Sequence, residues 1–199
     1  MKVFIYRLAI ALTVIGLGAC SVNPVTGENE LSLMSAQQEV ALGQQNYGPA
    51  QQMQGGRYVV DPDLSVYVNN VGQKLARASH RPNLPYEFVV LNNDVPNAWA
   101  MPGGKIAINR GLLVLLEDES QLAAVLGHEV VHAAARHSAQ QQTQNTLLGV
   151  GVMAAGLAVS SKDPELGALT MGALGVGAQA WQARYGRTQE LQADEYGIQ

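Results

Sequence analysis

Hydrophobic residues recur at helical spacing in two stretches of the first half of the chain. The first, residues 35–53, begins with Ser35 and Gln38 at the spacing of a capping box, in which each side chain pairs with the backbone of the other residue. The second begins at Asp61, which is followed by a proline in the first helical turn. Its apolar positions form one stripe that should face the core: Leu64, Val68, Val71 and Leu75.

Three short runs rich in β-forming residues follow, at residues 86–91, 97–101 and 105–109. A proline and two glycines at residues 102–104 are typical of a turn and would join the last two runs. In the third run isoleucine alternates with alanine, which predicts one buried face. These runs indicate a small, mostly antiparallel sheet. Together with the helices, they predict an α+β fold that is mainly helical.

Two apolar runs rich in glycine and alanine, residues 146–159 and 166–180, lie near the end of the chain. Polar residues and a proline at 160–164 separate them. Each run is shorter than the roughly 20 residues that a membrane-spanning helix needs. We therefore expect a helical hairpin packed through its small residues, which lies on a membrane surface or over the active site. A transmembrane hairpin is the alternative.

Composition excludes several classes of protein. Hydrophobic residues make up 47% of the chain and charged residues 14%, which supports a folded core and argues against extensive disorder. The length of 199 residues favours one domain. The net charge is −4, and there is no basic patch or RNA-binding motif, so nucleic acid is not an expected partner. The single cysteine, Cys20, excludes an internal disulfide.

Residues 1–19 have the features of a secretory signal peptide. Lys2 and Arg7 make its start positive, and residues 8–18 are almost wholly apolar. This leader ends immediately before Cys20. Its last residues together with the cysteine resemble the bacterial lipoprotein box, in which a lipid is attached to the cysteine before cleavage. A plain leader and a buried structural cysteine are the alternatives.

The lipoprotein resemblance implies how the mature chain is organised. Cys20 would carry the lipid, and residues 20–34, which are mostly polar, would form a lipidated tether. Residues 35–199 would form the folded domain. Because Ser21 stands where an aspartate would resemble the inner-membrane retention signal, the outer membrane, facing the periplasm, is the expected location.

The run His128-Glu129-Val130-Val131-His132 is the strongest chemical signal in the chain. Helical residues four apart share one face, so His128 and His132 can offer two imidazole nitrogens to a single ion. Glu129 lies beside them, where it can hold a water molecule. This is the H-E-x-x-H arrangement of zinc proteases. The surrounding helix, with Asp118 as its predicted cap, is mostly apolar, and a helix that carries these three polar groups by chance leaves them unexplained.

A catalytic zinc site needs a third protein ligand, and two candidates follow the motif. His137 is out of register with the longer three-histidine motif, so we expect it at a helix end or on the surface. Glu190 and Asp194 are four residues apart, on one face of a predicted helix. Glu190 would complete a His₂Glu set, and Asp194 could accept the free ring N–H of a ligand histidine. A solvated acidic helix is the alternative.

The order of these motifs resembles the gluzincin metalloproteases grouped with HtpX and the CAAX prenyl proteases, and especially their bacterial lipoprotein members. The resemblance spans the chain from about Ser35 to its end. It is carried by Asn97-Ala98-Trp99-Ala100, Pro102-Gly103-Gly104, Gly111-Leu112-Leu113, HEVVH with Arg136-His137, and Arg187 with Glu190 and Ala193-Asp194. It implies a zincin-like fold, one Zn²⁺ per chain, endopeptidase activity and a role in envelope protein quality control. Family members usually continue further, so a truncated C-terminus is expected.

The expected function is therefore that of a zinc-dependent metalloendopeptidase, anchored by lipid in the bacterial envelope, that cleaves unfolded or misassembled envelope proteins. Outer-membrane assembly machinery is a candidate partner. An edge strand could pair with an extended substrate through main-chain hydrogen bonds. The residues assigned to these roles are His128, His132 and Glu190 as zinc ligands, Glu129 as general base, Asp194 behind a ligand, and Asn97, Ala98, Trp99 and Ala100 in the substrate strand.

Two other interpretations stay open. The first is a lipid-anchored chaperone or assembly factor without catalysis, in which the zinc is structural and a fourth ligand such as His137 closes the site. The intact Glu129 argues against it, since a structural site has no use for a base. The second is a membrane-embedded protease whose 146–180 hairpin spans the bilayer.

Overall fold

The computed structural model describes residues 20–197, which form six helices and five strands. The strands are β1 (Cys20–Val22), β2 (Asn29–Leu31), β3 (Glu87–Leu91), β4 (Ala98–Met101) and β5 (Lys105–Asn109). The helices are α1 (Ala36–Met53), α2 (Pro62–Ala78), α3 (Arg110–Leu113), α4 (Glu119–Ala134), α5 (His137–Ser160) and α6 (Pro164–Gly197). The fold is mainly helical α+β, which confirms the predicted class. The signal peptide predicted for residues 1–19 lies outside the described residues.

Three helices begin at the caps that the sequence predicted. The Ser35 side chain accepts a hydrogen bond from the Gln38 backbone, and the Gln38 side chain accepts one from the Ser35 backbone, so the capping box is complete. Asp61 and Asp118 cap α2 and α4 by accepting from the backbone N–H three residues on. These predictions succeeded because a cap depends only on residues close together in sequence.

The central sheet has three strands in the order β3–β5–β4. β5 pairs antiparallel with β4, with Trp99 opposite Ala107, and parallel with β3, with Phe88 opposite Ile106. The sheet is therefore mixed, and the prediction of a mostly antiparallel sheet is wrong in this respect. After the turn that follows β4, β5 inserts between β4 and β3 and runs in the same direction as β3. Chain order alone does not reveal that insertion.

β5 is buried on both faces, which determines where the core lies. Ile106 and Ile108 belong to the main apolar cluster, together with residues of α2 and α4. Ala107 is fully buried on the other face, in a second cluster with Tyr47 of α1 and with Val89 of β3. The expectation of one buried face was wrong because α1 covers the side that the alanine occupies. The strand thus lies between α1 and the helix that carries the histidines.

Residues 20–34 contain a packed hairpin instead of the polar tether that the sequence predicted. β1 and β2 pair antiparallel, and the turn between them is closed by Asn23, whose side-chain oxygen accepts from the Val25 backbone N–H at 2.9 Å. Val25 is 8% exposed and packs in a small cluster with Val131 of α4 and Ala193 of α6. The polar composition of the segment did not indicate this packing, because one valine and one buried asparagine are enough to attach it to α4 and α6.

α5 and α6 form the predicted helical hairpin, and both helices extend beyond the apolar runs. α6 has 34 residues and continues into the acidic stretch that contains Glu190. The hairpin exposes several large apolar side chains: Val150, Met153, Leu157, Leu169, Val176 and Trp181. Within residues 20–197 no helix has the length and hydropathy that crossing a membrane requires.

A buried cluster of charges lies where α4 ends and α5 begins. Arg136, between the two helices, has a φ of 63°, in the left-handed region. Its Nε donates to Glu39 of α1 at 3.0 Å, and Arg81 donates to the same carboxylate at 3.1 Å. Arg81 also donates to the Ala133 carbonyl at 3.3 Å. Glu39 is 1% exposed, so this cluster ties the end of α4 to α1 from inside the protein.

Candidate metal centre

α4 presents His128 and His132 on the side of the helix that contacts α6. Leu126 and Val130 of the same helix are buried in the main apolar cluster, which fixes the rotation of α4. The Nε2 atoms of the two histidines are 3.0 Å apart. Their side chains are 24% and 16% exposed, so both histidines are largely packed against the protein but remain accessible to solvent.

Glu190 of α6 lies against both histidines. Its carboxylate oxygens are 3.4 Å from His128 Nε2 and 3.5 Å from His132 Nε2. Among the described residues, these three side chains form the group of potential metal donors, with donor atoms all within 4.8 Å of one another. Two ligand atoms each about 2.0–2.1 Å from a tetrahedral ion lie roughly 3.3 Å apart, so the spacing of the three donors fits zinc.

Two glycines allow α4 and α6 to approach closely enough for Glu190 to reach the two histidines. A Cβ on Gly127 would lie 2.5 Å from the Gly197 carbonyl oxygen, and one on Gly197 would lie 2.9 Å from the His128 nitrogen. Any side chain at either position would push the helices apart. The distance between Glu190 and the histidines therefore depends on small residues outside the donor group.

Asp194 lies one helical turn after Glu190 and contacts the far side of His128. Its Oδ1 is 3.0 Å from His128 Nδ1. A carboxylate only accepts, so Nδ1 carries the proton and the Nε2 lone pair is directed at the donor group. This is the contact that the sequence predicted for Asp194.

Glu129 is 8% exposed and lies between two cavities. Burial, with a further contribution from the negative charge of Glu190, raises its pKa to about 7. A carboxyl group with such a pKa can exchange a proton near neutral pH. Glu129 and His128 line both a cavity of about 600 Å³ and a smaller one of about 290 Å³.

The predicted substrate strand borders the same two cavities. Asn97 and Ala98 line the larger cavity, and Ala98, Trp99 and Ala100 line the smaller one beside His132. In the described part of the chain, β4 pairs with β5 on one side only, so its other edge is unpaired. The structure thus brings together every residue that the sequence assigned to the site in residues 97–194.

His137 is the residue whose position the sequence did not predict. It begins α5, as one of the two expectations had it, but it is 2% exposed and does not lie on the surface. Its Nδ1 is 2.9 Å from His132 Nδ1, and its Nε2 is 3.0 Å from the Gln192 side-chain oxygen. Burial, together with His132, lowers its pKa to about 4. The left-handed turn at Arg136 redirects the chain, and no periodicity argument reveals that turn.

Comparison with known sequences identifies the family. The profile of Peptidase family M48 matches residues 62–199. The chain belongs to this family. Membership confirms the resemblance described above and the predicted enzyme class, a metallopeptidase, and M48 peptidases generally depend on zinc.

Several curated proteins are similar to this M48 chain. A beta-barrel assembly-enhancing protease of Yersinia pestis is 31% identical over 180 residues, which cover 88% of this chain and 36% of that protein. The protease of the same name from Escherichia coli K12 is 29% identical over the same shares. The mitochondrial metalloendopeptidase OMA1 of Schizosaccharomyces pombe is 31% identical over 119 residues, 59% of this chain and 35% of its own. The M48 chain thus spans 35–36% of the length of these relatives.

Proposed function

We propose that this chain is a zinc-dependent metalloendopeptidase. The observation that carries the proposal is the meeting of His128, His132 and Glu190, with donor atoms 3.0–3.5 Å apart, beside the buried carboxyl group of Glu129. Three protein donors leave a coordination position for solvent, which distinguishes catalytic from structural zinc sites. His137 contacts the far nitrogen of His132 and so does not supply a fourth ligand.

Glu129 is the residue that moves the proton. The chemistry that zinc supplies in such a donor set is that of a Lewis acid, which acidifies a water molecule and polarises the scissile carbonyl. The Glu129 carboxylate takes a proton from the attacking water molecule as the water oxygen adds to the carbonyl carbon. The same carboxyl group then gives that proton to the leaving amine nitrogen. Asp194 keeps His128 in one tautomer throughout.

We propose that the substrate binds as an extended strand along β4. The free edge of this strand, at Ala98, Trp99 and Ala100, runs past the metal centre and between the two cavities. Main-chain hydrogen bonds to an edge strand accept many sequences but require an unpaired, extended partner. An unfolded or misassembled protein meets that requirement and a folded one does not. We therefore expect the unfolded form of a test protein to be cleaved and its native form to be spared.

We further propose that the substrates are envelope proteins. The support is the name of two relatives, beta-barrel assembly-enhancing protease, because β-barrel proteins are characteristic of the bacterial outer membrane. In this proposal Cys20 carries a lipid that holds the domain on the periplasmic face of the outer membrane, next to the machinery that assembles barrels. Replacement of Cys20 by serine should release the protein from membranes and abolish labelling by a fatty-acid analogue. A Ser21→Ala control should leave both unchanged.

Two substitutions test the enzyme assignment. Glu129→Gln should slow cleavage of unfolded casein by about 10²–10⁴-fold, the usual contribution of a general base, with bound zinc unchanged. Glu190→Gln should lose both zinc and activity. Glu165→Gln serves as the matched control, since Glu165 is exposed on the same helix far from the site. A chelator should stop cleavage by the wild-type protein.

The outcomes separate the parts of the proposal. Persistent cleavage by Glu129→Gln would remove Glu129 as the base. One tightly held zinc per chain in Glu190→Gln, measured by elemental analysis, would remove Glu190 from the ligands. A wild-type protein that holds zinc but cleaves neither native nor unfolded substrate would favour the non-catalytic assembly factor.

A further inference from the structure

His137 is a buried histidine for which the catalytic scheme above has no role. It lies in a line of side chains that runs from α6 to the metal centre: Gln192, His137, His132. Gln189 fixes the same histidine from another side, by donating from its side-chain amide to the His137 carbonyl at 3.2 Å. The ring is thus held at two points, one of which is a proposed zinc ligand, and the backbone carbonyl of His137 is held at a third.

The hydrogen bonds in this line have only one consistent set of directions. The Gln192 side-chain oxygen is an acceptor, so His137 Nε2 must carry a proton and donate it at 3.0 Å. A neutral imidazole protonated on Nε2 has a lone pair on Nδ1. His132 Nδ1, 2.9 Å away, must then carry a proton and donate to that lone pair. The remaining nitrogen, His132 Nε2, has its lone pair directed at His128 and Glu190.

We propose that His137 and Gln192 are positioning residues that hold His132 in the tautomer whose Nε2 faces the metal centre. The proposal rests on the proposed function for the identity of the ion, but the tautomer of His132 is a property of the protein itself. Metal-ligating histidines commonly donate their second ring N–H to an acceptor that fixes the ring. Here the acceptor would be a second histidine.

The two histidines of the motif have different partners at Nδ1. His128 contacts the carboxylate of Asp194, whose side chain is 70% exposed, whereas His132 contacts a neutral ring that is 2% exposed. A neutral acceptor fixes the tautomer without placing another negative charge close to Glu190 and Glu129. A buried acceptor is also shielded from competing water. The contact that fixes His132 is therefore the more buried of the two.

Two substitutions at one position separate positioning from simple packing. His137→Asn keeps an oxygen close to the place of Nδ1 and can still accept from His132, whereas His137→Leu fills similar space and accepts nothing. We expect the leucine variant to bind zinc about 10–100-fold more weakly, in a competition assay with a chromophoric chelator. The asparagine variant should retain most of the affinity. Gln141→Leu is the control, since Gln141 is exposed and lines the smaller of the two cavities together with His137.

The second measurement needs no metal. Long-range ¹H–¹⁵N spectra of the zinc-free protein should show His132 protonated on Nδ1 in the wild type and in His137→Asn, and a mixture of tautomers in His137→Leu. Equal zinc affinity of all three proteins, or equal losses in both variants, would overturn the proposal. So would a wild-type His132 protonated on Nε2, a result that stands even if the leucine variant does not fold. A protein that binds no zinc would refute the proposed function, and the spectra would still decide this proposal.

Discussion

Glu39 offers the sharpest test of what holds the end of α4 in place beside the candidate metal centre. Its carboxylate, 1% exposed, receives hydrogen bonds from Arg81 at 3.1–3.3 Å and from Arg136 at 3.0 Å. The two arginine side chains are themselves only 14% and 12% exposed. Glu39→Gln keeps the shape but removes the charge, and it takes from two largely buried guanidinium groups the carboxylate that they share.

Removal of one partner from a buried ion pair costs about 3–5 kcal/mol, because the remaining charge stays desolvated. The amide oxygen of glutamine can still accept one hydrogen bond, so we expect the lower half of that range. In a chain of this size, each kcal/mol corresponds to about 2–4 °C in the thermal midpoint, which gives a fall of roughly 6–16 °C for about 3–4 kcal/mol. Urea unfolding followed by far-UV circular dichroism measures the free energy directly.

The matched control is Glu119→Gln. Glu119 pairs with Lys74 at 3.9 Å, and both side chains are more than half exposed. Such surface pairs contribute about 0–1 kcal/mol, so the control should be nearly neutral. If Glu39→Gln were as stable as Glu119→Gln, the buried charges would not anchor the end of α4. The position of the end of α4 would then depend on other contacts.

Three further outcomes are expected. A Cβ on Gly43 would lie 1.9 Å from the Pro102 carbonyl oxygen, so Gly43→Ala should lower the free energy of unfolding in urea by about 1–3 kcal/mol. Gly149 has nothing within 4 Å of such a Cβ, so the control Gly149→Ala should raise that free energy by about 0.5–1 kcal/mol. A neutral Gly43→Ala would refute the close packing of α1 on the turn after β4. Burial raises the pKa of Glu30, so the folded state holds its proton more tightly than the unfolded state, and stability falls as pH rises from the unfolded pKa of 4.5 to the raised folded pKa. Glu30→Gln should flatten that fall in parallel urea titrations carried out at increasing pH above 4.5, and an unchanged slope would contradict the assigned burial. Zinc that binds only the folded state should stabilise it by about 4 kcal/mol at a free concentration of 1,000 times Kd, so a chelator should lower the thermal midpoint of the wild type but not of Glu190→Gln.

The sequence predicted those features that depend on neighbours within one or two helical turns. The caps at Ser35, Asp61 and Asp118 were located correctly because each is a bond between a side chain and a backbone group three residues away. The pairing of His128 with His132 follows from helical geometry alone. The three strands were located from local β-forming composition, without knowledge of their order.

Features that involve segments distant in the chain were harder to predict from the sequence. The insertion of β5 between β3 and β4 made the sheet mixed and buried both faces of the strand, although alternation suggested one. Residues 20–34 pack against α4 and α6 through Val25, although their composition is that of a linker. Both errors have the same origin, because burial of a residue depends on which other segment covers it.

The chain by itself therefore determined the two imidazoles, the carboxyl group of Glu129 between them and the helix that displays them, since the three side chains lie within about one helical turn. Only the tertiary structure decided that Glu190 reaches the same point and that His137 lies behind His132, at 3.5 Å and 2.9 Å respectively. Those distances depend on the left-handed turn at Arg136, on the return of α6 along α5 and on the close approach of Gly127 to Gly197. Backbone direction at a single residue and steric contact between distant glycines leave no periodic signal in a sequence, and so the completed donor set is a property of the fold.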